Sequence, residues 1–247
     1  MTDAKTLAGR VARVTGGRGG IGRAIARRLA EAGAAVAVGY SSSAEPAQTL
    51  ADELASAGMR AVALGADLAD PEAPAQLIGV AEQALGPLDV LVANHGVGER
   101  RGYEDVTLEE WDRLLDVNLR APFFLAQRAL PGMIERGFGR VLFTSSIAGF
   151  TGGLVAPHYA ASKAGLHALT HFLAARVAAH GVTVNAVAPA LIEDTGMLPG
   201  DPAELATRIP VGRLGRPEEV AELALTLLTN GYVTSQVVSV DGGMYPH

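Results

Sequence analysis

Seven short runs rich in Val, Leu and Ala, at 11–15, 35–40, 61–65, 90–94, 141–145, 183–187 and 236–240, are separated mostly by longer stretches of helical period. No other feature narrows the possible folds as much. Runs this short and this apolar suit strands buried on both faces, and a helix between successive strands is what a parallel crossover requires. Helices are expected near 20–32, 45–58, 71–85, 107–136, 157–180 and 216–229. Because such crossovers are right-handed, the order predicts an α/β chain: a doubly wound (Rossmann) mostly parallel sheet of seven strands with helices on both faces. Ligands then collect at the strands' carboxyl ends. At 247 residues the chain is read as a single domain, 1–247. The stretch from about 192 to 217 carries four glycines and prolines before 203 and four more after 209, and is expected to be a lid holding one short helix.

Composition excludes several functions. A net charge of −6 does not suit a nucleic-acid surface, which needs clustered Lys and Arg. With no cysteine there is no disulfide, thiolate nucleophile or Cys-ligated metal, so redox work would fall to a bound cofactor. His167, His171 and His180 lie along one helix without matching ligands, and no metal is expected. The first ten residues lack an apolar segment and no run is long enough to span a bilayer, so a soluble, cytoplasmic protein is expected.

Directly after the first run comes Thr15-Gly16-Gly17-Arg18-Gly19-Gly20-Ile21-Gly22, opening a helix. Glycines allow a tight turn and close approach to a pyrophosphate, while the helix's free N–H groups favour the anion. Gly16, Arg18, Gly20, Ile21 and Gly22 are therefore candidate dinucleotide contacts. The second run ends Gly39-Tyr40-Ser41-Ser42, with no carboxylate where one would receive the adenosine ribose of NAD(H). Ser41 and Ser42 also suit a turn and a helix cap. With Arg18 nearby, the balance tips toward NADP(H) over NAD(H).

Tyr159 and Lys163 stand four residues apart in a helical segment, so phenol and ammonium share a face. A neighbouring cation stabilises phenolate, and Lys163 is expected to lower the Tyr159 pKa and fit it for acid–base work. Ser146 lies where the fifth run ends, just before that helix.

Taken with Asn94-His95-Gly96, Asn118, Ser145-Ser146, Asn185 to Pro189 and Val240-Asp241-Gly242-Gly243, these motifs make the chain resemble the short-chain dehydrogenase/reductase family over nearly its whole length. The resemblance implies an oxidoreductase acting on a ketone or secondary alcohol. In it Tyr159 is the general acid, Lys163 binds the nicotinamide ribose, Ser146 bonds the carbonyl oxygen, and Asn118 holds a water leading to Lys163. It also implies cofactor contacts at Asp67, Leu68, Asn94, Gly96, Pro189, Ile192 and Thr195. Within the family the chain is most like 3-oxoacyl-acyl-carrier-protein reductases, through Tyr159 to Lys163, 212–220 and the ending Gly243-Met244-Tyr245. The implied substrate is a small ketone or acyl thioester, with acyl carrier protein as a possible partner docking on Arg136 and Arg140, and the implied assembly is a homotetramer. A reductase of another ketone, sugar or steroid is the alternative. A non-catalytic NADP(H)-binding sensor or structural subunit is the reading from another class, and the presence of Tyr159, Lys163, Ser146 and Asn118 weighs against it.

Departures from the family pattern also stand out. His95 occupies a place usually given to a small residue, and Ala190 replaces a glycine. Asp194 stands where the nicotinamide-side Thr is expected, so either the loop shifts or Thr195 takes that place. Arg13 interrupts a strand that should be apolar on both faces, and is expected to snorkel or to pair with a carboxylate. Val97, Phe150, Leu154 and His158 are candidate pocket residues.

Overall fold

A computed structural model of the chain describes residues 6–196, 198 and 200–245. Seven strands, β1 (Val11–Val14), β2 (Ala35–Tyr40), β3 (Ala61–Gly65), β4 (Val90–Ala93), β5 (Gly139–Thr144), β6 (Val182–Pro189) and β7 (Val237–Val240), form one sheet in the order β3-β2-β1-β4-β5-β6-β7. All six pairings are parallel. The order reverses between β1 and β4, and this switch point opens a crevice at the carboxyl edge.

Strand residues alternate between two cores. Val11, Ala35, Ala37, Leu91, Ala93, Val141 and Phe143 face one layer, made by α3 (Ala73–Leu85), α5 (Ala121–Glu135) and α7 (Pro157–Val177). Ala12, Val14, Val36, Val38, Val90, Val92 and Leu142 face the other, made by α1 (Gly20–Glu31), α2 (Glu45–Ser56) and α9 (Pro217–Thr229). Both faces are covered, which explains why the strands read as continuous apolar runs. Arg13 is the exception: it is 1% exposed on the α3 side, neither reaching water nor meeting a carboxylate. Its Nη2 instead donates to the Leu64 carbonyl at 3.1 Å, contrary to both sequence expectations.

The helix expected over 107–136 is broken into α4 (Leu108–Leu115), a π-helical turn (Asp116–Arg120) and α5. Pro122 explains the break, because it has no N–H to give the carbonyl four residues earlier, that of Asn118, and its ring would crowd that oxygen. A further short helix, α6 (Ala148–Thr151), follows β5, and the helix expected inside the 192–217 excursion is α8 (Pro202–Ala206). The stem of that excursion is held by bonds from Gly215 N–H to the Leu191 carbonyl at 3.0 Å and from Glu193 N–H to the Gly215 carbonyl at 2.9 Å.

Leu91, at the middle of β4, is fully buried in the α3/α5 core. Leu91→Ala should cost about 2–5 kcal/mol through lost burial and a residual cavity. Urea unfolding checks this: the midpoint should fall with an unchanged slope, and an unmoved midpoint would show that the core closes over the deletion.

Candidate active site

The crevice at the carboxyl edge is a cleft of about 840 Å³. Its dinucleotide half is built by the loop from β1 to α1. Gly16 has φ +64°, and a Cβ on Gly22 would stand 2.2 Å from the Gly16 carbonyl oxygen and 2.5 Å from Asn94 Nδ2. No side chain fits there. Asn94 Nδ2 donates to the carbonyls of Thr15 and Gly16, each at 3.2 Å, bracing the loop from β4. The first N–H groups of α1 have no intrahelical acceptors and stand beside this cradle. A glycine floor, a helix amino end and the Arg18 guanidinium fit a dinucleotide's phosphates.

Of the expected cofactor residues, Gly16, Arg18, Gly20, Ile21, Gly22, Ser41, Asn94, Gly96, Pro189, Ile192 and Thr195 line the cleft. Thr195, not Asp194, turns to the wall: Asp194 adopts φ +56° and places its carbonyl against Gly20, while the Thr195 hydroxyl donates to the Ile192 carbonyl at 3.0 Å. The shift of the Thr by one residue is absorbed at that left-handed turn. Leu68 lines a smaller annex of the cleft. Ser42 and Asp67 line neither: Ser42 is exposed, and Asp67 is exposed and spends a carboxylate oxygen on the Ala69 N–H at 3.0 Å.

The other half gathers Ser146, Tyr159 and Lys163 on the cleft wall. Ser146 Oγ accepts the Ala148 N–H at 3.1 Å, which leaves its own proton to be donated elsewhere. Pro157 opens α7, and Tyr159 lies in its first turn, 7% exposed, where the helix's positive end favours a phenolate. One turn on, Lys163 is 3% exposed, its Nζ donating to the Thr144 carbonyl at the end of β5 at 2.8 Å.

Asn118 is fully buried behind them. Its Oδ1 accepts the Val97 N–H and its Nδ2 donates to the Val97 carbonyl, both at 2.8 Å. The Gly96 backbone passes beside both groups, and a Cβ there would lie 3.4 Å from both Asn118 Oδ1 and Lys163 Nζ, an ordinary contact.

Burial pushes the Tyr159 phenol above its ordinary value, against a downward pull from the Ser146 hydroxyl. The strengthening expected from Lys163 is not what governs it here: Nζ sits 5.7 Å from the ring centroid and is engaged by Thr144. Lys163 itself is lowered by burial to about 8. His95 is lowered to about 3, first by burial and then by the Lys163 ammonium, against the Val117 carbonyl, which raises it. The ring is neutral, and its Nδ1 lies 2.7 Å from Thr15 Oγ1.

Other sequence candidates divide. Val97 and Leu154 line the cleft, whereas Phe150 packs on His167 and Tyr245, and His158 stacks on Trp111 at 6.0 Å between ring centres. Arg136 and Arg140 lie beside the amino ends of the strands, the edge opposite the cleft, so they cannot form a docking patch at its mouth. Arg136 donates to the Leu88 carbonyl and Arg140 to the carbonyls of Leu228, Gly139 and Gly181. Sequence reasoning missed Val155 and Gly98. A Cβ on Gly98 would lie 3.0 Å from the Tyr159 ring, and the sequence holds no cue to that contact. Among the described residues no cluster of three or more His, Asp or Glu could hold a metal, and no helix is long and apolar enough to cross a membrane.

A dinucleotide cradle joined to a half-buried hydroxyl and a buried phenol and ammonium defines a nicotinamide-dependent oxidoreductase acting on CH–OH or C=O groups. The short chain dehydrogenase family profile matches residues 10–205, and the chain belongs to that family. It is 40% identical over 246 residues to cis-4-hydroxycyclohexanecarboxylate dehydrogenase of Sinomonas cyclohexanicum, covering 97% of this chain and 98% of the relative. It is 37% identical over 245 residues to the 3-oxoacyl-[acyl-carrier-protein] reductase FabG of Aquifex aeolicus, with 97% and 98% covered. A solved structure of blue fluorescent protein from a metagenomic library, in complex with NADPH, superimposes with a TM-score of 0.90 at 39% identity, covering 98% of this chain and all of that one.

The buried Lys163 makes a pH prediction. Its pKa is 10.5 when free and about 8 in the fold, so between these values the unfolded chain holds the extra proton and stability from this group rises with pH. Compared with Lys163→Met, the wild-type unfolding free energy should therefore gain about 3 kcal/mol between pH 8 and 10.5. Denaturant unfolding across that range checks it, and parallel curves for the two proteins would contradict it.

Proposed function

We propose that the protein reduces an apolar ketone to a secondary alcohol with NADPH, a 3-oxoacyl thioester being the first choice of substrate. The observation that carries the reaction is the convergence of Ser146, Tyr159 and Lys163 on one wall, beside the glycine cradle. Bound nicotinamide supplies the hydride. Ser146, its oxygen already held by the Ala148 N–H, donates to the substrate carbonyl oxygen and fixes it. Tyr159 gives its proton to the same oxygen, and burial keeps the phenol protonated until charge develops there. Lys163 holds the ribose hydroxyls and reloads Tyr159, with Asn118 keeping the 97 loop in place behind it and holding the water that leads to Lys163.

The preference for NADP(H) rests on Arg18 and Ser41 at the adenosine end, on the lack of an acid at position 40, and on the NADPH complex of the similar structure. Choice of substrate rests on the lining beyond Tyr159. Val97, Ala148, Leu154, Val155, Leu198 and Met244 offer little to the hydroxyls of a sugar, and Glu99 is the one ionisable group there among the described residues. Such a wall suits an acyl chain or an alicyclic ring, the substrates named by the two relatives. The 192–217 segment, tied at its stem and contributing Thr195, Gly196 and Leu198 to the wall, serves as the lid. Exposed Leu108, Trp111, Phe124 and Phe172 give α4, α5 and α7 apolar outer surfaces suited to a homotetramer.

Loss of NADPH absorbance with acetoacetyl thioesters, alicyclic ketones and ketoses tests this reading. The thioesters should turn over best, and best turnover of a ketose would reject the substrate assignment. Tyr159→Phe should retain NADPH binding by fluorescence while kcat falls by a factor of about 10²–10⁴, the range for loss of a general acid. Near-normal kcat would remove Tyr159 from that role.

A further inference from the structure

Beside the adenosine end of the cleft lies an annex of about 50 Å³, lined by Arg13, Thr15, Gly16, Arg18, Gly39, Tyr40, Ser41, Ala66, Leu68, Leu77 and His95. Four of these, Gly16, Arg18, Ser41 and His95, also line the main cleft, so the two spaces adjoin. Arg13 forms part of the floor. Its guanidinium reaches across β2 to the Leu64 carbonyl of β3, and Gly39 lets it pass, since a Cβ there would stand 3.1 Å from Arg13 Nη2. Nε and Nη1 remain buried with no hydrogen-bond partner among the described residues. No carboxylate lines the annex.

A buried guanidinium without a counter-charge is costly to keep, and burial alone lowers its pKa to about 9. A water molecule would satisfy an N–H but leave the charge unbalanced. The annex is too small for an adenine ring and suits a group of a few atoms. On the reading that the cleft takes NADP(H), we propose that Arg13 is a specificity-determining residue: from the annex floor it donates hydrogen bonds to the 2′-phosphate, opposite Arg18 and Ser41 at the rim. Two cations of different depth then select the phosphorylated cofactor, one exposed and one built into the sheet.

Calorimetric titration of the intact protein with adenosine 2′,5′-bisphosphate and with 5′-AMP tests this without turnover. Arg13→Leu matches the apolar neighbours Ala37 and Leu91 in adjacent strands, and thermal unfolding shows whether the variant folds. It should unfold no earlier than wild type, because it removes a buried unbalanced charge. Affinity for the bisphosphate should fall at least about tenfold, some 1.4 kcal/mol, with 5′-AMP affinity within about twofold of wild type. Unchanged bisphosphate affinity, or an equal loss for both nucleotides, would overturn the assignment. Arg13→Lys, which keeps the charge without the fork, should hold part of the preference, and a loss as complete as that of the leucine variant would also count against it. If wild type itself does not prefer the bisphosphate, the NADP(H) reading falls with it. Failure of ketone turnover alone would leave the Arg13 assignment standing and remove only the reductase reading.

Discussion

Parallel pairing of seven strands is the constraint on which everything else rests. It sends every strand's carboxyl end to one edge, so Gly16, Ser41, Asn94, Ser146 and Pro189, spread over more than two-thirds of the chain, become neighbours. The bonds that convert this edge into a site are few. Asn94 ties β4 to the phosphate loop, and the Lys163 ammonium on the Thr144 carbonyl ties α7 to β5. Between them Asn118 grips the backbone of Val97 from both sides. Each bond joins elements that are distant in sequence but adjacent at that edge.

The π-helical turn shows how one local defect serves the site. A regular helix through 107–136 would present Asn118 on a different heading, whereas the wider turn that Pro122 enforces sets it behind Gly96 and Lys163. A proline and the asparagine four residues before it thus act together, from 118 to 122.

Much of this was legible beforehand because the signals are periodic or local. Strand and helix positions follow from apolar runs and helical spacing, and the glycine loop and the Tyr159–Lys163 pair are short-range patterns whose geometry the helix dictates. What escaped depends on direction in space. Nothing local says that Arg136 and Arg140 sit at the amino edge, that Phe150 and His158 turn from the cleft, or that Ser42 and Asp67 miss its wall. The π turn does not show in the helical period through 107–136; its signal is Pro122, which the expectation of one continuous helix passes over. Arg13 was conspicuous as a charge in a strand, yet its outcome turns on Gly39 one strand away and the Leu64 carbonyl two strands away.

The electrostatics resolve an apparent conflict between an acidic chain and an anionic cofactor. A net charge of −6 acts at long range, where salt screens it over about 8–10 Å. Inside the cleft the ionisable lining is Arg18, His95, Tyr159 and Lys163, with Glu99 as the single acid among the described residues, and Glu99 is already engaged by Arg101 at 3.3 Å. Arg13 adds charge from below. Burial keeps His95 neutral, and the Lys163 and Arg13 cations push its pKa further down. A neutral ring next to Thr15 leaves the loop's hydrogen bonds independent of pH over the physiological range. The same charges that would be destabilising in an empty core therefore stand beside the cradle, where a polyanionic ligand would balance them.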